Sequence, residues 1–206
     1  MPERGEPCGG LRRRKCAARR KAILDAALRA FVAEGYAGAR MEDIARRAGV
    51  AKGTLYLHFG DKEGLFNGLV ESALSPLYEL ARTIMADGSL TLREKLLRVF
   101  APMFEANGGT REAEIVRLVW SEGLHNPALA RAFYRKLMSP LLALLRETVS
   151  RAASEGPPPE LLAFPQLLLS PVLHGVLWQG MFRDMESLDM KAMYRAYLDM
   201  ILPEKD

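Results

Sequence analysis

The segment KGTLYLHFGDKE, residues 52–63, carries side chains that bind phosphates and base edges rather than side chains that make or break covalent bonds. At helical spacing, Gly53, Thr54 and Leu57 fall on one side. A threonine hydroxyl donates to a phosphate or a base edge, an exposed leucine suits a thymine methyl, and a glycine lets a backbone come close to a partner. Three flanking side chains are expected to reach phosphates: Lys52, Tyr56 and His58.

The opposite side of this predicted helix bears Leu55 and Phe59, which we assign to a core. A second short helix, MEDIARRAG at 41–49, precedes it and ends at a glycine. Two short helices joined by a tight turn form a helix-turn-helix, whose second helix enters a DNA major groove. Any one of these residues alone is typical of a solvated helix, but the turn, the spacing and the local charge together favour DNA binding.

The net positive charge of the chain is confined to its first third. Residues 1–62 contain 14 Lys and Arg against 7 Asp and Glu, whereas residues 63–206 contain 15 against 18. This asymmetry indicates an anionic partner at the N-terminal end, either nucleic acid or a membrane surface. Cys8 and Cys16 match neither a zinc site nor a CxxC pair, so we interpret them as free thiols. The first residues contain no apolar run typical of a signal peptide, and we expect a cytoplasmic protein.

An enzyme would need a nucleophile beside a base, a carboxylate pair or a phosphate-binding loop, and the sequence suggests none of these. The three histidines have no metal-ligand spacing. We therefore predict that the protein is not an enzyme, with no catalytic residue, no metal and no cofactor.

Hydrophobic periodicity predicts helices along the rest of the chain and no strands, so the fold class is all-α. A first helix is predicted to stop at Gly35, and Asp61 is expected to cap a long one that follows. The predicted organisation is a mobile basic arm at 1–16, a helix-turn-helix domain at 17–62 and a helical bundle at 63–206. Two roles stay open for the basic residues before the first helix: an arm that follows DNA, or a solubilising tail.

The stretch ILDAALRAFVAEGYAGARMEDIARRAGVAKGTLYLHFGDKEGLF, residues 23–66, resembles the DNA-binding domain of the TetR/AcrR family of bacterial transcriptional regulators. The resemblance implies a three-helix DNA-binding domain, a larger C-terminal helical bundle, a homodimer and a small-molecule effector. By motif position it assigns DNA contacts in the recognition helix and phosphate contacts beside it. The residues concerned are Lys52, Gly53, Thr54, Tyr56, His58 and Lys62.

Three positions depart from the family pattern. Ala39 stands where a threonine is usual, and we assign the missing phosphate contact to the neighbouring Arg40. Ala51 replaces a common serine at the start of the recognition helix, and Gly64 replaces the glutamate of a capping box. These changes are expected to weaken the helix ends by about 1 kcal/mol each.

Residues 161–182 contain no charged side chain and are long enough to span a bilayer, yet they include two prolines, two glutamines and a histidine. We interpret the stretch as a buried helix rather than a membrane span, covered by its own domain and by a second copy of the chain. With the last helix it would form a four-helix dimer interface. The predicted interface residues are Leu169, Leu173, His174, Leu177, Trp178, Met181, Met193 and Tyr197.

Methionines and aromatic residues on the middle helices suit an adaptable apolar pocket, and they equally suit an ordinary core. The candidate ligand-binding residues are Met85, Met103, Phe104, Arg117, Trp120, Phe133 and Met138. The resulting hypothesis is a repressor released from a pseudo-palindromic double-stranded operator by a small, mostly apolar molecule. The alternative is a DNA-binding dimer without a small-molecule effector, controlled by a protein partner or by abundance.

Overall fold

The computed structural model describes residues 8–105 and 109–202, with side chains from Arg14 onward, and every regular element in these ranges is helical. The all-α prediction is confirmed. The α-helices, in chain order, are α1 (Cys8–Gly38), α2 (Met41–Arg47), α3 (Lys52–Phe59), α4 (Lys62–Ala86), α5 (Leu92–Phe104), α6 (Arg111–Gly123), α7 (Pro127–Phe133), α8 (Ser139–Arg151), α9 (Glu160–Ala163), α10 (Ser170–Phe182) and α11 (Met190–Ile201).

The helix-turn-helix unit includes the first two turns of α4. The chain divides into two compact units between Leu69 and Val70, seven residues after the boundary predicted from the sequence. The reason lies in an aromatic cluster, because the Phe66 ring centroid is 5.7 Å from that of Phe31 and 5.4 Å from that of Tyr36. These contacts make the start of α4 part of the N-terminal core.

The N-terminal basic residues are helical over most of the predicted arm. We predicted a mobile segment at 1–16, but α1 begins at Cys8, and residues 1–7 lie outside the described part of the chain. Residues 11–22 are leucine, arginine, lysine and alanine apart from one cysteine, and this composition favours a helix. The predicted stop at Gly35 is a break inside α1, where φ is 70° and ψ is 166°. The thiol of Cys16 is free and exposed; the side chain of Cys8 is outside the described residues.

The C-terminal unit is organised around Tyr194 of α11, which is fully buried. Its ring centroid lies 5.5 Å from that of Phe100 and 5.4 Å from that of Phe104, both on α5. Its hydroxyl donates to the carbonyl oxygen of Leu168 at 3.2 Å. Helix α11 packs against α5 and α10, and α10 also packs against α5 and α6, so these four helices share this core.

The uncharged stretch at 161–182 is not one helix, contrary to the prediction. It divides into the end of α9, a 3-10 turn at 165–168 and α10. Pro165 and Pro171 explain the division, because proline removes a backbone donor and disfavours the helical conformation of the residue before it. In the described ranges we find no helix with both the length and the apolar character needed to cross a bilayer.

Pro140 is the second residue of α8. A single π-helical turn at 134–138 ends two residues before this proline, and α8 then continues to Arg151. A proline ring clashes with the carbonyl four residues earlier, and a π turn is one way to accommodate it.

Candidate DNA-binding site and C-terminal cavity

The inner side of α3 is anchored by the two predicted core residues. Leu55 is fully buried, and the Phe59 ring is half-buried beneath the guanidinium of Arg20, whose carbon is 5.5 Å from the ring centroid. Gly68 of α4 provides room for this ring, since a Cβ there would lie 2.8 Å from Cε1 of Phe59. The inner contacts fix which side of α3 faces outward.

The outward side of α3 holds most of the residues predicted to touch DNA. Leu57 is 86% exposed and Tyr56 is 39% exposed. Lys52, Gly53 and His58 are also exposed, and Thr54 is half-buried. Leu57 has the largest exposed fraction among the large apolar side chains of the described residues, so its own unit does not bury it.

Gly53 has no reason within the described chain to be a glycine. A Cβ built at this position meets no atom within 4 Å. Glycine in a helix costs about 0.5–1 kcal/mol relative to alanine, so the residue lowers the stability of α3 without improving internal packing. The open space is explained if another molecule approaches the backbone closely there.

Lys52 is held across the turn by Glu42 of α2, a contact that the sequence did not predict. The two side chains form an exposed ion pair, and Nζ of Lys52 lies 5.8 Å from the centroid of the Tyr56 ring. The hydrogen bond to Lys52 lowers the pKa of Glu42, and the same bond raises the pKa of Lys52. The lysine is therefore charged and directed along the outward side, where a phosphate would compete with the carboxylate.

Lys62 has a different role in the structure from the phosphate contact assigned by motif position. Its Nζ donates to three carbonyl oxygens at the end of α1 and just beyond it, in Tyr36 at 2.8 Å, Ala37 at 3.1 Å and Ala39 at 3.2 Å. The ammonium also lies 4.7 Å from the centroid of the Tyr36 ring. Because an ammonium has three donors, these bonds occupy all of them. Lys62 holds the chain between α1 and α2.

Replacing Lys62 by methionine should therefore lower stability first. We expect the free energy of unfolding to fall by about 1–3 kcal/mol, because three carbonyls lose a charged donor. Urea unfolding monitored by circular dichroism measures the change. Lys52→Met is the matched control, and since its ion pair is exposed it should cost little. Equal stability of the two variants, with operator affinity lost only at Lys62, would restore the phosphate assignment.

The three departures from the family pattern have different structural outcomes. Arg40 is exposed and occupies the N-cap of α2 without a side-chain cap bond, and Ala51 at the start of α3 also lacks one. The Gly64 N–H donates to Oδ1 of Asp61 at 2.7 Å, which is the cap predicted for α4. A Cβ at Gly64 would lie 2.0 Å from the carbonyl oxygen of Phe59, so the turn before α4 leaves no room for the usual glutamate.

The C-terminal unit contains a partly open apolar cavity of about 80 Å³. Its wall contains no charged side chain, and Tyr78 is the only lining residue with a hydroxyl or nitrogen in its side chain. The residues around it are Leu74, Leu77, Tyr78, Ala81, Val99, Phe100, Met103, Val116, Leu137, Met138, Leu141, Leu169, Val172 and Leu173. Most of them follow ordinary helical periodicity, so the sequence marked them as core and not as a cavity wall.

A polar cleft of about 200 Å³ shares three residues with the cavity: Leu74, Tyr78 and Leu137. The cleft also contains an ion pair, in which Nζ of Lys136 lies 3.0 Å from a carboxylate oxygen of Glu71. Tyr78 thus separates an apolar space from a charged one. The π-helical turn supplies residues to both.

Only two of the seven predicted ligand-binding residues line the cavity, namely Met103 and Met138. The others have different surroundings. Met85 and Phe133 are buried, Phe104 packs on Tyr194, Trp120 is 40% exposed, and Arg117 lies against Val176 and Gly180 of α10. Burial lowers the pKa of Arg117.

The predicted interface residues divide into two groups. Leu169 and Leu173 line the cavity of their own unit, and Leu169 is almost completely buried, so these two do not form a free face. The rest are exposed or half-buried: His174, Leu177, Trp178, Met181, Met193 and Tyr197. Along α10, the ring centroids of His174 and Trp178 are 5.8 Å apart and those of Trp178 and Phe182 are 5.0 Å apart.

Comparison with known proteins relates both units to transcriptional regulators. Residues 23–69 match the family model described as bacterial regulatory proteins, tetR family. Over 195 residues the chain is 29% identical to the HTH-type transcriptional regulator BetI of Paraburkholderia phytofirmans, a match covering 91% of this chain and 95% of that protein.

Two solved structures share the fold. FadR from Bacillus subtilis, in complex with stearoyl-CoA, has a TM-score of 0.74 at 22% identity and covers 90% of this chain and 99% of its own. The SmeT–triclosan complex has a TM-score of 0.76 at 22% identity, and the match covers 91% of this chain and 93% of SmeT.

The residues in and beside α2 and α3 that the sequence predicts to contact DNA all lie within the matched segment 23–69. The relatives that extend over nearly the whole chain are named as transcriptional regulators and not as enzymes. The helix-turn-helix with its outward-facing α3 is the geometry that such a role requires. The chain thus carries a segment that matches the tetR family of bacterial regulatory proteins at residues 23–69, and over nearly its whole length it is similar to transcriptional regulators.

Proposed function

We propose that the protein is a homodimeric repressor, released from a pseudo-palindromic operator in the bacterial cytoplasm when a small, mostly apolar molecule binds its C-terminal unit. The observation that carries the effector role is the apolar cavity beside the polar cleft. Buried apolar space with a few polar groups at one side is typical of small-molecule sites.

The size of the cavity limits the effector. At about 80 Å³ it has about half the volume of the roughly 150 Å³ apolar cavity that accepts benzene in an engineered protein. A larger effector would have to enter the cleft as well, past Leu74, Tyr78 and Leu137. We therefore expect an amphipathic molecule whose apolar part fills the cavity and whose polar part lies near the Tyr78 hydroxyl and the Lys136–Glu71 pair.

Two structural neighbours support an amphipathic or apolar effector. One was solved with stearoyl-CoA and the other with triclosan. Both protein folds therefore accept ligands with a large apolar part, although their identity to this chain supports no transfer of the ligand itself.

The exposed side of α10 supports the dimer. His174, Trp178 and Phe182 form an aromatic row, and the neighbouring Met181 is 68% exposed. A two-fold dimer would place two α3 helices against half-sites about 34–36 Å apart, or a multiple of that distance. The effector need only prefer a dimer state with weaker operator affinity, and DNA then disfavours the effector by the same factor.

The first experiment is selection of bound duplexes from a random DNA pool by the purified protein, followed by a salt titration of the best binder. We expect a pseudo-palindrome with half-sites one helical turn or a small multiple apart. Enrichment of no sequence, with only weak salt-sensitive binding, would contradict operator recognition by the protein as purified.

Filling the cavity should separate effector response from DNA binding. Ala81→Leu adds three carbons to a lining position on α4, while Ala86→Leu adds them at an exposed position of the same helix. A compound at a hundredfold excess over its Kd stabilises a protein by about 2.7 kcal/mol, or roughly 5–10 °C in Tm. We expect active compounds to raise the Tm of wild type and Ala86→Leu, but not of Ala81→Leu, with operator affinity unchanged in all three.

The small cavity volume also favours a second candidate, a DNA-binding dimer that has no small-molecule effector and is controlled by a protein partner or by abundance. This candidate predicts that no amphipathic compound in a broad collection raises Tm or releases the operator. Release by a compound whose effect survives Ala81→Leu would instead place the effector site elsewhere.

A further inference from the structure

The positive charge of the N-terminal third lies almost entirely before the helix-turn-helix. Residues 12–21 contain seven arginines and lysines and no acidic residue. Residues 22–62, which hold the rest of α1 together with α2 and α3, contain six basic residues against five acidic ones. The segment that reads base edges therefore has almost no excess charge with which to attract a phosphate backbone.

Several cations of the helix-turn-helix are, moreover, already engaged. Arg46 pairs with Asp43 at 2.6 Å, and Arg47 pairs with Glu34 at 2.6 Å. Lys52 pairs with the Glu42 carboxylate, and the Lys62 ammonium donates to three backbone carbonyl oxygens. When one of these cations binds a phosphate, it must first give up its present partner. Its net contribution to DNA affinity is therefore smaller than that of a cation without a partner.

The basic start of α1 has the opposite character. Arg14, Lys15 and Arg19 are exposed, and none of them forms an ion pair with another residue in the described part of the chain. They project from a helix, so their backbone is already ordered and association need not fix it. Arg20, on the same turn as Arg19, contacts Phe59 and ties this segment to α3.

We propose that the basic start of α1, residues 12–21, is the main phosphate-binding element of this protein and contacts the DNA backbone beside the groove that α3 reads. The proposal rests on the proposed operator binding and adds to it a second DNA surface outside the helix-turn-helix. Backbone contacts of this kind supply affinity and salt dependence, while base contacts supply sequence preference.

DNA is favoured over an anionic membrane by the composition of the segment. A helix that lies on a membrane needs a wide face of large apolar side chains. Between residues 12 and 22 the only uncharged side chains are one cysteine and three alanines. Such a segment is rich in positive charge but has almost no apolar area to insert into a membrane.

The test is a full-length triple variant, Arg14→Gln, Lys15→Gln and Arg19→Gln. Glutamine has nearly the same helix propensity as arginine and lysine, so α1 should stay helical, which circular dichroism checks. The matched control, Arg98→Gln, Arg131→Gln and Arg135→Gln, removes three exposed charges from the C-terminal unit. Affinity for the selected operator and for an unrelated duplex is measured over a range of salt concentrations.

We expect the slope of log affinity against log salt to become shallower by about 2–3 in the triple variant, because each lost phosphate contact contributes about 0.9. At about 0.1 M salt, affinity for both duplexes should fall by a factor on the order of 10², and the preference for the operator should be unchanged. The control variant should keep the wild-type slope.

Four results would overturn the proposal. An unchanged salt slope in the triple variant would mean that the segment is a solubilising surface. An equal change of slope in the control variant would mean that only the net charge of the protein matters. A fall in affinity for the operator without a fall for the unrelated duplex would indicate that the segment contacts bases. Binding of wild type, but not of the triple variant, to anionic phospholipid vesicles, with an unchanged DNA slope, would indicate a membrane. A wild type that selects no sequence would instead be a failure of the proposed function.

Discussion

Replacing Gly53 by leucine is expected to strengthen the fold of the N-terminal unit and to abolish operator recognition. A Cβ at residue 53 meets no atom of the described structure within 4 Å. Replacing the glycine should therefore stabilise α3 by about 0.5–1 kcal/mol. The same side chain would fill the space through which we propose that DNA approaches the backbone. Affinity should fall to the non-specific level, a loss on the order of 10³ or more.

Two measurements separate these opposite effects. Urea unfolding gives the stability, and titration of a labelled operator gives the affinity. Gly53→Ala should give most of the stability gain with a smaller loss of affinity, because it adds only one carbon. Ala33→Leu adds a large side chain to an exposed position of α1, outside α3, and should leave operator affinity unchanged. Wild-type affinity in Gly53→Leu would contradict the assignment of this side of α3 to DNA.

Replacing Tyr194 by alanine should destabilise the C-terminal unit more than any surface change. The ring is fully buried and packs on Phe100 and Phe104, so its removal leaves a large cavity in the core. Truncation of a buried aromatic residue costs about 3–5 kcal/mol. We expect a loss of this size in chemical unfolding. Tyr194→Phe keeps the ring and loses only the bond to Leu168, so it should cost about 1 kcal/mol.

Tyr194 should also make stability fall at alkaline pH. Burial raises the pKa of its hydroxyl well above the ordinary value of 10.0. The unfolded chain then releases this proton at a lower pH than the folded chain does. The stability is therefore complete below pH 10 and is lost as the pH rises toward the folded-state pKa, by at most about 1.4 kcal/mol per pH unit for one proton.

The matched comparison for this pH dependence is again Tyr194→Phe, which removes the titrating group and keeps the packing. Its unfolding midpoint should fall less steeply above pH 10 than that of wild type. Burial also raises the pKa of Tyr197, so a residual slope should persist in the variant. Identical alkaline slopes would mean that Tyr194 reaches solvent before the unit unfolds.

Gly53 and Tyr194 represent opposite demands on the same chain. Gly53 leaves open space at the surface of α3, whereas Tyr194 fills its surroundings and joins α11 to α5 and to the 3-10 turn at 165–168. Binding surfaces often retain residues that weaken the fold, because their partner supplies the missing contacts. A variant series that improves stability alone would therefore be expected to select against Gly53 and to retain Tyr194.

Two helix ends could be predicted from the sequence, because capping is a local property. Asp61 accepts from the Gly64 N–H at the start of α4, and α2 ends at Arg47, just before Gly49. The inner and outer sides of α3 were equally accessible from the sequence. Side chains three and four residues apart share a side of a helix, so Leu55 and Phe59 had to oppose Gly53 and Leu57.

The partners of charged side chains were decided by the tertiary structure. Lys62 follows the family motif, but its three acceptors lie 23 to 26 residues earlier in the chain. Glu42 reaches Lys52 only because the turn between α2 and α3 brings their exposed ends together. No spacing rule connects residues across a turn or between helices, so the sequence offered no signal for either contact.

By itself, the sequence determined that the chain is helical, which side of α3 faces outward and that the net positive charge lies in the N-terminal segment, because each depends on residues close together in the chain. The tertiary structure alone decided where the cavity lies, which two of the seven candidate residues line it, and that the Lys62 ammonium binds carbonyl oxygens. These properties depend on how distant helices pack, and apolar periodicity is the same for a residue that fills a core and for one that borders an empty space.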